Sequence, residues 1–256
     1  MKNKCVILSG TKWNRRISLT SSRPFDYTQG KLRRGSIQFL SILVLSAFLF
    51  AACGDESTSS PSEKNAWDYL NPDIDYGEFT DARDGQVYKT VTIGKQTWMA
   101  QNLNYDYNEG TDESLCYDNR AENCDKYGRL YTWNAAMAAV PKGWHLPTIE
   151  EWEVLFKQVG GKNVVGTKLK SKSGWFDKEG NINNDGTDEY GFAVLPAGYW
   201  KSDSFYSLGS HARFWTATEH SSDVAYYLYS VTGTALVYSN NCYKTDEALP
   251  VRLVKD

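Results

Sequence analysis

Thr148 and Glu151 stand three residues apart in Gly143-Trp144-His145-Leu146-Pro147-Thr148-Ile149-Glu150-Glu151-Trp152, and this spacing constrains the chain most tightly. It is the reciprocal capping arrangement, in which each side chain satisfies a backbone N–H left over at a helix start. A helix is therefore predicted from Thr148. Ile149, Trp152, Phe156 and Val159 recur at three- and four-residue steps as one apolar stripe, with Glu150, Glu153 and Lys157 off it, and Gly160-Gly161 ends the run. Pro147 fixes an extended lead-in. Just upstream, Thr132 to Ala139 reads as a first short helix.

Strand patterning surrounds these helices. Gln86 to Val91 and Gln96 to Asn102 read as two strands about the turn Ile93-Gly94-Lys95. Phe192 to Leu195, Phe214 to Ala217, Val224 to Val231, Leu236 to Ser239 and Val251 to Val254 read as later strands.

The pairing of Tyr127-Gly128-Arg129-Leu130-Tyr131-Thr132-Trp133 with the Gly143 to Trp152 segment resembles the Fibrobacter succinogenes major paralogous domain family. Other pieces agree and follow in order: Asp84-Gly85-Gln86-Val87-Tyr88, the run Ile93 to Asn104 with Trp98-Met99 and Gln101-Asn102-Leu103-Asn104, Gly191-Phe192 to Gly198, Phe214 to Glu219, and the closing Pro250 to Asp256. The resemblance spans about residues 81–256 and brings no settled activity with it. Leu146-Pro147-Thr148-x-x-Glu151-Trp152 is also similar to a motif of the formylglycine-generating, sulfatase-modifying enzymes, whose fold is related to C-type lectins. The fold these resemblances imply is α+β, C-type-lectin-like or sulfatase-modifying-factor-like, with two short helices and many short antiparallel strands.

The N-terminal part has a different character. Ile37 to Ala52 is a 16-residue apolar run behind Arg33 and Arg34, ending Leu49-Phe50-Ala51-Ala52-Cys53. A positive flank, an apolar core short for a bilayer span, and small residues beside a thiol resemble a lipoprotein signal, with Cys53 as the lipid-attachment residue. The alternative is a short transmembrane anchor. Residues 1–36 lack apolar periodicity and are expected to be an unstructured leader or the product of a misplaced start. Residues 54–80 are expected to form a flexible tether, since Gly54 to Lys64 offers no core-forming side chain. Residues 81–256 would form the domain. The acidic pair Asp55-Glu56 resembles surface-export signals, so the expected location is the cell envelope, lipid-anchored in the outer membrane.

Beyond residue 52 the chain holds 19 basic and 30 acidic residues, a formal charge of −11. Nucleic acid is excluded as a partner, because a phosphate backbone needs a basic face and these Lys and Arg are scattered. A domain of about 175 residues is long enough to bury roughly 70% of its unfolded surface.

Three cysteines fall in the exported part. Cys116 and Cys124, separated by seven residues, are expected to pair across a short loop in an oxidising compartment. A metal pair is the alternative, with no His nearby and no zinc spacing to support it. Cys242 is left over. The formylglycine-generating enzymes use cysteine chemistry near their C-terminal end, but they need a second thiol there, and no cysteine follows Cys242. His145 reads as a hydrogen-bonded structural side chain; His211 and His220 fit no ligand pattern, and no Gly-x-Ser-x-Gly supports a hydrolytic triad. Asn181, Asn183 and Asp185 lie at alternate positions before Gly186, like the start of a calcium loop, but the twelfth position is Phe192. The alternative is a polar turn.

Thirty-six aromatic residues are 14% of the chain. Tyr199-Trp200 and Phe205-Tyr206 fall in the segment from Trp200 to His211, whose Ser, Asp and Gly content predicts a loop. Exposed rings stack on sugar faces while Asp and Asn orient hydroxyls. Strand-core packing is the competing explanation, and alternation within Val224 to Val231 puts Tyr227 and Tyr229 on one face. The expected function is a non-catalytic binding domain without a cofactor, with calcium as a secondary option. Its partners would be the membrane, through the lipid, and polysaccharide or an envelope protein. The alternatives are an oxidase-like enzyme and a structural protein-interaction module.

Overall fold

The computed structural model describes residues 64–177, 179–183 and 186–256. The leader, the Ile37 to Ala52 run, Cys53 and the first part of the tether lie outside the described residues. The described part is mixed α and β, with antiparallel sheets and short helices.

Three sheets are formed. The first runs Gly77–Thr80, Val87–Ile93, Gln96–Met99, Val254–Lys255, Trp144–His145 in spatial order. The second is His211–Ser221, Val224–Val231, Tyr238–Tyr243. The third runs Asn108–Glu109, Asp112–Leu115, Leu130–Tyr131, Glu247–Pro250, Tyr199–Lys201, Ser204–Tyr206. The C-terminal segment joins the first and third sheets, and between its two strands the Val251 and Leu253 carbonyls accept from the Leu103 and Met99 N–H groups at 2.9 and 3.0 Å.

The capped helix forms as its sequence requires. Over Ile149–Gln158 the Glu151 N–H donates to Thr148 Oγ1 at 3.2 Å and the Thr148 N–H donates to Glu151 Oε2 at 2.8 Å. Trp152, Leu155, Phe156 and Val159 are buried, while Ile149 is half-buried. Trp152 meets Trp98, Phe214 and Phe192 with ring centres 4.8, 5.6 and 5.8 Å apart. Gly160 and Gly161, at φ of 109° and 95°, end the run in backbone that disfavours side chains.

The separated sequence motifs prove to be one another's hydrogen-bond partners. Trp133 Nε1 donates to the Thr216 carbonyl at 2.9 Å, and Trp215 Nε1 donates to the Tyr131 carbonyl at 2.8 Å. Arg252, 1% exposed, donates to Asn102 Oδ1 and to the Met99 and Phe192 carbonyls. Burial lowers its pKa to about 9, with Asp188 opposing. Asn102 Nδ2 in turn donates to the Tyr127 carbonyl at 2.8 Å. Gly128 follows with φ of 73°, and a Cβ there would stand 2.7 Å from Asn102 Cβ. Only glycine fits that approach.

Several expectations are corrected. Among the described residues four α-helices form where two were expected, because Ala121–Tyr127 and Val165–Leu169 are too short and too polar or β-branched to show an apolar period. Phe192 to Leu195 forms no strand beyond a single bridge of Val194 to Lys170, since Ala193 takes φ of 49° and all four residues are buried. The strand expected over Leu236 to Ser239 runs instead over Tyr238–Tyr243, because Leu236 is occupied by Thr234 and Ser230 side chains. Val251 to Val254 contributes strand only at Val254–Lys255. Part of the expected tether is structured: Asn65 caps a 3-10 turn over Ala66–Tyr69, and Gly77–Thr80 pairs with Val87 to Thr90. Each strand of the described residues finds its neighbours between residues 77 and 255, so this unit holds its own sheets and core.

Candidate functional site

The segment expected to be a loop after Tyr199 is a hairpin. Ser202 and Asp203, at φ of 47° and 62°, make the two-residue turn that matches strand twist, and Tyr199 pairs with Tyr206 and Trp200 with Phe205. Side chains alternate across a strand, so this register parts the four predicted ligand residues into two pairs. Trp200 and Phe205 pack on the cluster of Tyr117, Leu130 and Ala248, with Phe205 and Tyr117 ring centres 5.0 Å apart. Tyr199 and Tyr206 stack on each other at 5.5 Å.

That second pair continues into a band on the neighbouring sheet. Arg213 Cζ lies 3.4 Å from the Tyr199 ring centre and 5.1 Å from that of Tyr227. Arg213 stands opposite Tyr229 in register, and Tyr229 stacks on Tyr238 at 5.1 Å. Burial raises the Tyr227 pKa well above the phenol range, which keeps its hydroxyl neutral. Tyr206 and Tyr238, at the two ends, are 43% and 40% exposed.

Glu247 fixes this band from beneath. It is 2% exposed, and its two oxygens accept from Lys201 Nζ and Arg213 Nη1, each at 2.7 Å. By holding Lys201 of the hairpin and Arg213 of the second sheet at once, Glu247 ties the two halves of the band together. Arg213, Tyr238 and Glu247 went unseen in the sequence, because they join the hairpin through pairings between distant strands. The one available signal was the alternation that puts Tyr227 and Tyr229 on a common face.

The remaining chemical candidates are placed elsewhere. Cys116 and Cys124 form a disulfide. Cys242 is 4% exposed in the core with Trp215, Ala225 and Tyr227. His145 is held by Glu151 Oε1 at 2.6 Å and Asp256 Oδ1 at 2.7 Å; burial alone would lower its pKa, but the two carboxylates more than offset this and raise it. His220 Nδ1 lies 2.8 Å from the Tyr226 hydroxyl, and His211 Nδ1 lies 3.0 Å from Ser210 Oγ. Asn181 donates to Asp177 Oδ2 at 3.0 Å, the Asn183 N–H donates to the Trp175 carbonyl at 2.9 Å, and Asp185 lies outside the described residues.

The ordered motifs decide the family. The family model described as the Fibrobacter succinogenes major domain matches residues 91–255. The chain belongs to that family. The match takes in the whole tyrosine band, as well as the Trp133 and Trp215 exchange and Arg252. No curated protein and no solved structure matches the chain.

Proposed function

We propose that this member of the Fibrobacter succinogenes major domain family is a lipid-anchored protein of the cell envelope, held at the outer membrane through Cys53, whose domain binds polysaccharide without catalysis. The observation that carries this reading is the band Tyr206, Tyr199, Arg213, Tyr229 and Tyr238, with its buried Glu247 support. The exposed end rings Tyr206 and Tyr238 offer apolar surface to sugar rings and hydroxyls to ring substituents, while Tyr199, Arg213 and Tyr229, already stacked or ion-paired, hold them in place. The spread of the rings over two sheets suits an extended chain better than a single small molecule. A C-type-lectin-like arrangement of short strands is the finer fold proposed for it. The burial of Cys242 supports the non-catalytic reading over an oxidase. The binding needs no cofactor.

Binding of residues 64–256 to an array of plant and bacterial polysaccharides, with calcium and with chelator, tests this. Saturable binding to at least one polymer is expected in both conditions. Binding only with calcium would shift the site to the Asn181 and Asn183 loop, and no binding to any polymer would refute the reading.

A further inference from the structure

A cleft of about 580 Å³, lined by none of the band residues, opens between the Ala66–Tyr69 turn, the Gln101 to Asn104 segment and the helix Ala121–Tyr127. This lies within the roughly 300–1,000 Å³ range of small-molecule sites. Its rim carries Trp67, 45% exposed, with Lys89 Nζ 4.9 Å from the ring centre. Such exposure is unusual for an indole, whose large apolar faces favour burial.

The polar lining is built and incompletely used. Gln101 is 7% exposed, and its Oε1 accepts from the Lys89 N–H at 2.6 Å, which leaves the NH2 of the same amide as the donor at the cleft wall. Asn104 Oδ1 is buried and, among the described residues, meets no donor. A buried acceptor without a donor carries a desolvation cost, which rotation of the Asn104 amide toward a ligand hydroxyl in the cleft would remove. The Tyr88 hydroxyl accepts from the Asn104 N–H at 3.0 Å, so its own proton remains to be donated. Amides and phenols that both donate and accept match hydroxyl groups, which do the same.

Charge narrows the ligand further. Glu122 and Asp125 line the cleft against Lys64. Two carboxylates against one ammonium disfavour an anion, since Lys89 beside Trp67 is already paired with Glu78. They also fall short of a cation cage, for among the described residues no three His, Cys, Asp or Glu side chains come together as metal ligands.

We propose that this cleft is a second binding site, for one or two units of a neutral saccharide, with Trp67 as the apolar wall and Gln101, Asn104 and Tyr88 as the groups that orient hydroxyls. It is separate from the tyrosine band and does not depend on it. Trp67 precedes the matched residues 91–255, so the site combines family motif residues with a segment outside the match.

The test is residue-resolved NMR titration of oxidised residues 64–256 with glucose, galactose, maltose, cellobiose and lactose to ~10 mM, ten times a millimolar Kd. The expected result is saturable shifts of the Trp67 indole and Gln101 amide resonances with at least one of these sugars. Trp67→Ala should abolish saturation of the Gln101 amide shift. Gln101→Glu keeps the acceptor for the Lys89 N–H, and with it the fold, but removes the donor; it should weaken binding about 10-fold, as for one lost hydrogen bond. A Tyr206→Ala/Tyr238→Ala variant should keep the Trp67 shifts intact, which separates this site from the band. No saturable shift with any sugar, a Gln101 response that survives Trp67→Ala, or equal binding of glucuronic acid would overturn the proposal.

Discussion

The tyrosine band and the Trp67 cleft both join aromatic rings to polar side chains, yet they are built by opposite means. The band exists because distant strands pair: Tyr199 reaches Arg213, and Glu247 holds Arg213 and Lys201 together. The cleft is assembled largely from loops and short helices around the start of the strand Val87–Ile93, with Cys124 of the disulfide on its wall and Asn102 bonded to Arg252 behind it. A surface supported by a buried ion pair should be sensitive to the loss of that pair. A surface supported by a short covalent loop should be sensitive to reduction.

The sharpest way to break the comparison is Glu247→Ala. Removing a carboxylate that is 2% exposed takes a charged partner from Arg213 and Lys201 and should destabilise the domain by about 3 kcal/mol, the low end for breaking a buried pair because the two cations keep 15% and 33% of their side chains in solvent. Urea unfolding measures it. A loss below about 1 kcal/mol would mean that solvent reaches the pair and that Glu247 does not support the band.

The paired substitution Cys116→Ser with Cys124→Ser should cost about 2.5 kcal/mol through loop entropy, and its local effect should fall on the cleft. Hydrogen exchange distinguishes the regions: amides of 121–127 should lose protection, while those of Val224–Val231 should change only with global stability. Equal local loosening in both would contradict the division.

A smaller effect follows from pH. The folded His145 pKa is raised above its ordinary 6.5, because Glu151 and Asp256 more than offset burial. The folded state therefore binds the proton more tightly, so this stabilisation is complete below 6.5 and lost as pH rises through the folded value. Thermal melts across that window should fall with pH, and His145→Asn should flatten the dependence. Polysaccharide binding at the band should stay level over the same range, since His145 lies in the first sheet and the band in the other two.

How much of this was legible in the sequence depends on how local each cause is. The capped helix at Thr148 was readable because cap, stripe and stop all lie within fourteen residues. The disulfide and the two-strand unit about Gly94 were readable for the same reason. The hairpin at Tyr199 was not, since Ser202 and Asp203 adopt positive φ without the Asn-Gly signature that announces such turns. Consequently Trp200 and Phe205, expected at the ligand, pack inward. The cleft stayed hidden because Trp67 falls in a polar stretch that lacks apolar periodicity, and because Gln101 and Asn104 show a family motif without showing what they face.

The smallest stability effect carries the most weight. Tyr206→Ala/Tyr238→Ala removes two rings that are 43% and 40% exposed and should change stability by only about 1 kcal/mol. The most direct test of the account is to measure this variant beside Trp200→Ala for binding to a polysaccharide retained by the wild-type domain, with unfolding curves for all three. The account predicts that the double variant loses binding while remaining folded, and that Trp200→Ala loses stability but binds the same polymer whenever it is folded. Full binding by the double variant, or loss of binding by a fully folded Trp200→Ala, would contradict it.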